Sequence, residues 1–294
     1  MFYTNVARYS NYILYRGYDD LGKKVFKKEK FKPKFFVPSK TETGWRGLDG
    51  NHIGEVDFDS MKEARDWLEQ YQHVTGFQVY GTNNYLHQYV TRKFPKDIRF
   101  DRDKINVTTI DIETEYEGGF PQVEVADQRV LAITIKNNID GIYHVWGLQD
   151  YDTEKALIKP VNYIKCESEP ELLARFVNHW RQEENLPDVI TGWNVRFFDI
   201  PYLINRVNRI CGVDMVRQFS PWGLIDQRKI RRLNKEEMTY DIKGIQTMDY
   251  LELFQKFGYS YGKQESYKLD HIGHVVLGEK KLSYEESGSL KNLY

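Results

Sequence analysis

The sequence has 294 residues, 40% of them hydrophobic, and its 42 basic and 43 acidic residues leave a net charge of −1. This length supports one large domain with a smaller one beside it. The balanced charge excludes a global positive field, so any site for a polyanion must come from local clustering. The two cysteines, Cys166 and Cys211, are too few for a disulfide framework and favour a reducing, intracellular environment.

The composition also bears on membranes and on stacking surfaces. No apolar stretch is long enough to span a bilayer, and the N-terminal residues lack the pattern of a signal peptide. We therefore expect a soluble, cytoplasmic protein without a membrane partner. Tyr and Phe are frequent, at 21 and 16 residues. Much of this aromatic content will pack in the core, but stacking surfaces for nucleobases are an available use.

Residues 1–103 predict a small α+β domain. Segment 11–39 alternates apolar and polar residues around the turn "DDLGK", which is typical of a β-hairpin. Segment 59–72 has apolar residues at helical spacing, and either Asp59 or Ser60 can cap this helix. The basic run "KKVFKKEKFKPKFF" has interleaved aromatic residues, but a half-exposed strand pair explains it at least as well as nucleic-acid binding does.

From about residue 104 onward the pattern changes. Segments 105–113 and 129–148 predict three consecutive strands, the second and third joined by a turn at 137–141. The elements predicted after them are helices at 168–184, 199–212 and 265–278, strands at 187–194 and 245–253, and a basic hairpin at 224–244. This order implies an α/β (α+β) fold with a mixed central sheet flanked by helices.

The stretch "TTIDIETEYEGGF" ends a predicted strand with two acids, Asp111 and Glu113. Alternate residues of a strand share a face, so these two side chains point the same way. Like charges at this separation repel unless a cation or a proton lies between them. Taken alone, the pair is more often two solvated acids at a strand end than a metal site.

A second acidic position follows a short predicted strand in "TGWNVRFFDIPYLINRV". The strand ends at Asn194, and Asp199 stands five residues later, immediately before a helix. Asp is a good N-cap residue and Pro201 fits the first turn, so capping is the simpler role for Asp199. Capping does not explain the preceding Gly-Trp-Asn or the two adjacent phenylalanines, Phe197 and Phe198.

Together, these elements resemble the DEDD exonuclease superfamily, and in detail the family B replicative DNA polymerases of T-even-like tailed phages. Asp111 and Glu113 match the first exonuclease motif of that family; Asn194, Phe198 and Asp199 match the second. The stretches "SMKEARDWLEQ", "RQFSPWG" and "MDYLELFQKF" are similar to the same phage group. The resemblance spans essentially the whole chain. It implies a ribonuclease-H-like exonuclease domain at 104–294 after the family's N-terminal domain at 1–103.

The resemblance further implies a metal-dependent 3′–5′ exonuclease that proofreads the 3′ end of a primer–template and acts on single-stranded DNA. Two Mg²⁺ or Mn²⁺ ions would be held by carboxylates, which suit hard cations. Asp111 would bridge the two ions, Glu113 would complete the ion on the nucleophile side, and Asp199 would hold the second ion.

Other positions correspond to the family's substrate contacts. Phe120 would stack on a base, and Asn194 and Phe198 would position the terminal nucleotide. A loop aromatic that plugs the core is an equal alternative for Phe120. The segment 224–242 resembles the hairpin that helps to separate primer from template, and a solvated hairpin is an equal alternative there. Its predicted phosphate-contacting residues are Arg228, Lys229, Arg231 and Arg232.

The sequence departs from the family at the third exonuclease motif, in which Asp follows Tyr at the fourth position. Tyr261 has Glu265 at that spacing but precedes the last helix, and Tyr267 and Asp270 are too close together. We therefore expect the front part of a polymerase, with weak nuclease activity alone and a separate polymerase polypeptide as a possible partner. The alternative is a non-catalytic nucleic-acid-binding or assembly fragment.

Overall fold

The computed structural model describes residues 1–116, 119–232 and 235–280. Its contacts divide the chain into two compact units, Met1–Asp101 and Arg102–Tyr294. Whether these units are the functional domains predicted at 1–103 and 104–294 stays a prediction. Each unit has its own sheets, helices and core, and each is described separately below.

The first unit contains two antiparallel three-stranded sheets. The strands are β1 (Phe2–Tyr9), β2 (Tyr12–Tyr18), β3 (Lys24–Lys30), β4 (Lys34–Pro38), β5 (Trp45–Arg46) and β6 (His52–Asp57). Their orders are β1-β2-β3 and β4-β6-β5. The predicted hairpin is β2 and β3, and its turn is fixed by Asp19, whose carboxylate accepts hydrogen bonds from the N–H groups of Leu21 and Lys23. The sequence analysis did not identify β1, β5 or β6.

Two helices, α1 (Met61–Tyr71) and α2 (Tyr85–Lys93), pack on these sheets. Ser60 caps α1: its hydroxyl accepts from Glu63 N–H at 3.1 Å, while the Glu63 carboxylate accepts from Asp59 N–H at 2.8 Å. The bond to the Ser60 hydroxyl confirms Ser60 as the cap. Helix α2 was not predicted, although Asn84 caps it in the same way.

The second unit is built on a six-stranded mixed sheet. Its strands and the adjoining hairpin are β7 (Val107–Thr114), β8 (Val130–Asn137), β9 (Tyr143–Gly147), β10 (Val161–Lys165), β11 (Val189–Gly192), β12 (Ile225–Arg232), β13 (Lys235–Ile242) and β14 (Gln246–Asp249). The sheet order is β10-β9-β8-β7-β11-β14. Strand β8 is antiparallel to both neighbours and the other pairs are parallel. The predicted mixed sheet is confirmed, and β12 and β13 form the predicted separate hairpin.

Helices connect and flank these strands. They are α3 (Glu169–Trp180), α4 (Asp199–Cys211), α5 (Val213–Arg217), α6 (Tyr250–Phe257) and α7 (Leu269–Leu277). Ser168 caps α3, and Gly212 ends α4 with a positive φ of 85°. The continuous strand predicted at 245–253 is wrong: the strand stops at Asp249, whose carboxylate caps α6 by accepting from Leu251 N–H. In the described ranges, no helix is both long and apolar enough to cross a membrane.

Strand alternation separates a packed face of the sheet from an open one. Ile110, Ile133 and Trp146 are nearly fully buried on the packed face. Trp146 contacts Phe176 of α3 edge-on, with 5.3 Å between ring centroids, and Phe176 contacts Trp180 in turn. Because neighbouring residues on β7 point to opposite faces, Asp111 and Glu113 lie on the open side. The core therefore determines which face carries the acids.

A buried ion pair ties α3 and α4 to the loop before β8. The Arg206 guanidinium donates to both carboxylate oxygens of Glu169, at 2.7 and 2.6 Å, and both side chains are 5% exposed. Arg206 also donates to the carbonyl oxygens of Ala126 and Asp127, while Glu169 accepts from Val130 N–H. This network fixes the segment that leads from Phe120 back into the sheet.

Replacing Arg206 with Met should lower the free energy of unfolding by about 3–5 kcal/mol, because the Glu169 charge would stay buried without its partner. Urea unfolding monitored by circular dichroism measures this change. Arg175→Met is the matched control, since its ion pair with Glu171 lies on the solvent side of α3 with 52% of the arginine side chain exposed. The control should change stability by about 1 kcal/mol or less. Equal losses in both variants would contradict the argument.

Candidate active site

Strand β7 presents two acids on the open face of the sheet. Asp111 is exposed and Glu113 is half-buried. Ile110, which precedes Asp111, is 2% exposed, and Ile112, which lies between the two acids, is 5% exposed. Both acids line a groove of about 480 Å³ that runs over β8, β9 and β10. The acids therefore share one face, as strand alternation requires, and they are accessible from solvent.

Asp199 reaches the same strand from α4. Its Oδ1 accepts a hydrogen bond from the backbone N–H of Ile112 at 3.1 Å, and the residue is 4% exposed. Strand β11 pairs with β7 only as far as Thr109, so Ile112 lies beyond the paired part of that edge. Asp199 thus satisfies a strand N–H at the position between Asp111 and Glu113.

The alternative role of Asp199 as a helix cap is wrong. Phe198 occupies the N-cap position of α4, and no side chain caps this helix. The Asp199 carboxylate turns to the sheet instead.

The pKa of Asp199 reflects its burial and its proximity to Asp111. The pKa of Asp199 is raised from 3.8 to about 8, first because burial disfavours its charged form and second because of the negative charge of Asp111. The Ile112 N–H acts in the opposite direction, and the charge of Asp249 adds a smaller increase. The fold therefore places Asp199 close enough to Asp111 for the charge of Asp111 to oppose the ionisation of Asp199.

These acids do not form a closed ligand cluster. Within residues 1–116, 119–232 and 235–280, no group of three or more His, Cys, Asp or Glu side chains lies close enough together to hold a metal ion. The structure brings Asp199 to the strand that carries Asp111 and Glu113, but it does not show all three around one point. Their role as metal ligands stays a prediction.

The loop between β11 and α4 needs two unusual backbone positions. A Cβ at Gly192 would lie 2.7 Å from the carbonyl oxygen of Ile110, so only glycine allows this approach to β7. Asn194 has a φ of 62°, in the left-handed region that Asn tolerates better than most residues. Its carbonyl accepts from the N–H groups of Phe197 and Phe198, which turns the chain into α4. These observations explain the glycine and the asparagine of "TGWN".

Asp249 holds this loop and was missed by the sequence analysis. It is 2% exposed, and its two carboxylate oxygens accept from the backbone N–H groups of Asn194, at 3.0 Å, and Arg196, at 2.9 Å. The same carboxylate caps α6 through Leu251 N–H. The available signal was helical spacing after Asp249 in "MDYLELF", which indicates an N-cap rather than the middle of a strand.

An aromatic pocket is lined by Phe198, the residue that precedes Asp199. Phe120, Asn194 and Phe198 line a pocket of about 230 Å³, and the two phenylalanine rings lie 5.2 Å apart between centroids. Phe120 is 71% exposed, so the alternative that it plugs the core is wrong. The structure thus brings together the residue predicted to stack on a base and the two predicted to position the terminal nucleotide, and their contact with a nucleotide stays a prediction. The remaining lining residues are Val123, Glu124, Phe197, Glu237 and Met238.

Arg228, Lys229 and Arg231, whose side chains the structure describes, are not among the lining residues of this pocket. Arg228 donates to Asp241 at 2.8 Å, and Lys229 lies 3.6 Å from Glu236. Arg231 is opposite Glu236 in the strand register. The acids of β13 therefore offset much of the positive charge of β12. Phosphate contact by these residues stays a prediction, and the side chain of Arg232 lies outside the described residues.

Comparison with known proteins gives concordant matches. A family model for the exonuclease domain of family B DNA polymerases matches residues 72–272. The DNA-directed DNA polymerases of Enterobacteria phage T4 and Escherichia phage RB69 are each 28% identical, over 97% of this chain and 33% and 34% of their own lengths. A DNA polymerase catalytic subunit of Psittacid herpesvirus 1 is 31% identical over 43% of this chain and 12% of its own. The chain spans about a third of the length of the two phage relatives.

Asp249→Ala should release the loop that carries Asn194. Three backbone N–H groups would lose a buried acceptor, and each such group costs about 1–3 kcal/mol when left unsatisfied. We expect faster amide hydrogen exchange at Asn194 and Arg196, measured by mass spectrometry or NMR. Asp152→Ala is the control, because Asp152 caps an exposed turn through Glu154 N–H. Unchanged protection of the loop in Asp249→Ala would refute this role.

Proposed function

Because the chain belongs to the family B DNA polymerases through their exonuclease domain, we propose that it removes 3′-terminal nucleotides from single-stranded DNA by metal-dependent hydrolysis. The observation that supports this most is the hydrogen bond from Ile112 N–H to Asp199. It brings a carboxylate from α4 to the strand position between Asp111 and Glu113. Residues far apart in the sequence therefore meet at one end of β7.

The donor set suits hard divalent cations. Asp111, Glu113 and Asp199 offer only carboxylate oxygens, which Mg²⁺ and Mn²⁺ prefer over nitrogen or sulfur ligands. The raised pKa of Asp199 beside Asp111 indicates a site where positive charge would be stabilising. Two such ions, when bound, would activate a water molecule and stabilise the charge on the departing 3′ oxygen. Asp111 would bridge the two ions, Glu113 would complete the nucleophile-side ion, and Asp199 would hold the other.

The aromatic pocket supports recognition of an unpaired terminus. Phe120 is exposed for stacking, and Phe198 lies beside it at the start of α4. Stacking on an aromatic side chain is tolerant of base identity, which suits removal of any terminal nucleotide. Asn194 lines the same pocket and carries an amide that can hydrogen-bond to a base or sugar. The pocket would hold the last nucleotides while the acids act on the bond between them.

The two phage relatives are DNA-directed DNA polymerases, which suggests the setting of the reaction. We infer that the exonuclease unit serves proofreading of a primer–template 3′ end, next to a polymerase region. On this proposal the hairpin β12–β13 would face the primer and template strands of the DNA, because Glu237 and Met238 of β13 line the aromatic pocket.

A second candidate is a non-catalytic nucleic-acid-binding or assembly module. It is favoured by one observation, the lack of a closed three-carboxylate cluster within the described residues. A pure binder has no need for Asp199 to turn away from the cap position toward β7. The aromatic pocket fits both candidates, so the acids discriminate between them.

Digestion of end-labelled single-stranded DNA in Mn²⁺ should slow by about 100-fold or more in Asp111→Ala. Loss of a metal ligand removes several kcal/mol of transition-state stabilisation, and each ~1.4 kcal/mol is tenfold in rate. Asp214→Ala is the control, because Asp214 is an exposed acid of the same unit that pairs with Arg217. The Asp214→Ala control should digest at the wild-type rate, and EDTA should stop digestion by the control and by wild type. Equal rates in the Asp111→Ala variant and wild type would favour the binding module.

Phe120→Ala should weaken binding of single-stranded DNA by about 1–3 kcal/mol, the loss expected for one stacked base. Fluorescence anisotropy in EDTA measures this affinity without cleavage. Tyr259→Ala is the matched control, because Tyr259 is 84% exposed and lies outside the pocket. If both variants bind as tightly as wild type, Phe120 does not stack on the substrate.

A further inference from the structure

A polar pocket in the first unit is separate from the exonuclease site. It has a volume of about 460 Å³ and is formed by β1, α1 and the start of α2. This volume is within the range of roughly 300–1,000 Å³ that is typical of small-molecule sites. Its lining residues are Arg8, Arg65, Asn83, Asn84, Tyr85 and Leu86. Arg8 and Arg65 precede the residues that match the exonuclease family model.

Two arginine side chains, Arg8 and Arg65, line this pocket together with Tyr85. The Arg8 guanidinium carbon lies 6.0 Å from the Tyr85 ring centroid. Burial raises the pKa of the Tyr85 hydroxyl, and the positive charges of Arg8 and Arg65 act against this increase. Tyr85 itself is fixed, because it is 8% exposed and its hydroxyl donates to the carbonyl oxygen of Met61. A rigid ring thus forms a wall of the pocket, with two positive charges near it.

The positive charge of the pocket is only partly offset. Arg65 lies 3.5 Å from Asp66 and 3.9 Å from Glu69, on an exposed face of α1 where such pairs are weak. In the part of the chain that the structure describes, no carboxylate lies within ion-pair distance of Arg8. Its contact with the Tyr85 ring leaves the guanidinium charge in place. The pocket therefore attracts an anion even though the chain as a whole has a net charge of −1.

We propose that this pocket binds a phosphate group of a nucleic-acid strand through Arg8 and Arg65. The guanidinium fork matches phosphate oxygens in pairs, which makes arginine the preferred residue for this anion. The exposed side chain of Asn83 adds an amide that can donate to a phosphate or sugar. The choice of a nucleic acid rests on the proposed function, since a DNA strand is the polyanion that an exonuclease of this family acts on. RNA offers the same phosphate chemistry.

The test uses the full chain and short fluorescent oligonucleotides, one of single-stranded DNA and one of single-stranded RNA. Binding is measured by anisotropy in EDTA at several salt concentrations, so the result does not depend on hydrolysis. The pocket variant is R8Q/R65Q. The control is K40Q/R46Q, which removes two positive charges from exposed side chains of the same unit outside the pocket. Thermal unfolding checks that both variants fold as wild type does.

We expect R8Q/R65Q to bind about tenfold more weakly than K40Q/R46Q, because charge-assisted hydrogen bonds are lost and not only net charge. The slope of log affinity against log salt should fall by about 1. A loss limited to DNA or to RNA would identify the strand that the pocket binds. Equal affinity and slope in the two variants, for both strands, would overturn the proposal. The digestion assay with Asp111→Ala tests the exonuclease proposal separately, because it reads rate and not affinity.

Discussion

The candidate site depends on one hydrogen bond, from the backbone N–H of Ile112 to the carboxylate of Asp199. Strand β7 continues past the end of its pairing with β11, and an unpaired N–H in a buried position carries a free-energy penalty. The Asp199 side chain removes this penalty by accepting the bond. Burial at this position and the nearby charge of Asp111 raise the pKa of Asp199, although the bond from Ile112 N–H itself lowers it. The same Asp199 carboxylate thus completes the hydrogen bonding of β7 and sets the electrostatics of the site.

A second carboxylate makes that arrangement possible. Asp249 ends β14 beside Gly192 of β11 in the strand register, and it accepts from the N–H groups of Asn194 and Arg196. These bonds hold a loop in which Asn194 has a positive φ, a conformation that is unfavourable for most residues. Asp199 follows five residues later, so the loop sets where α4 begins. Both buried aspartates accept from backbone amides: Asp249 accepts three such bonds, whereas Asp199 accepts one from Ile112 and also lies near the charge of Asp111.

Much of this could be predicted from the sequence, because the responsible patterns are local. Alternation in "INVTTIDIE" determines that Asp111 and Glu113 share a face, and helical spacing after Ser168 gives α3. The prediction of a strand through 245–253 was wrong because its apolar residues fit either period over so short a segment. The strand ends at Asp249 because this residue caps α6. Its second role, holding the loop at Asn194, depends on a contact between residues 55 positions apart and cannot be seen in the local sequence.

Other features could not be predicted from local sequence patterns, because they depend on contacts between residues that are distant in the sequence. The Glu169–Arg206 ion pair joins residues 37 positions apart and involves the carbonyls of Ala126 and Asp127. The pocket of Arg8 and Arg65 combines residues from a strand and a helix that sequence spacing does not relate. The hairpin β12–β13 was predicted as basic, and the ion pairs of Arg228 with Asp241 and of Lys229 with Glu236 neutralise part of the positive charge of β12. Long-range contacts, rather than composition, determine these properties.

On the proposed function, the start of α4 would link the aromatic pocket to the acids of β7. Phe198 and Asp199 are consecutive, yet one ring faces the aromatic pocket with Phe120 and the other side chain reaches β7. Any shift of this turn moves both groups together, because a single backbone segment carries them. If the proposed stacking on Phe120 and Phe198 takes place, it would favour the same position of α4 that holds Asp199 at Ile112. The Glu169–Arg206 pair, which anchors α4 to α3 and to the loop after Phe120, keeps that turn at a fixed distance from the sheet.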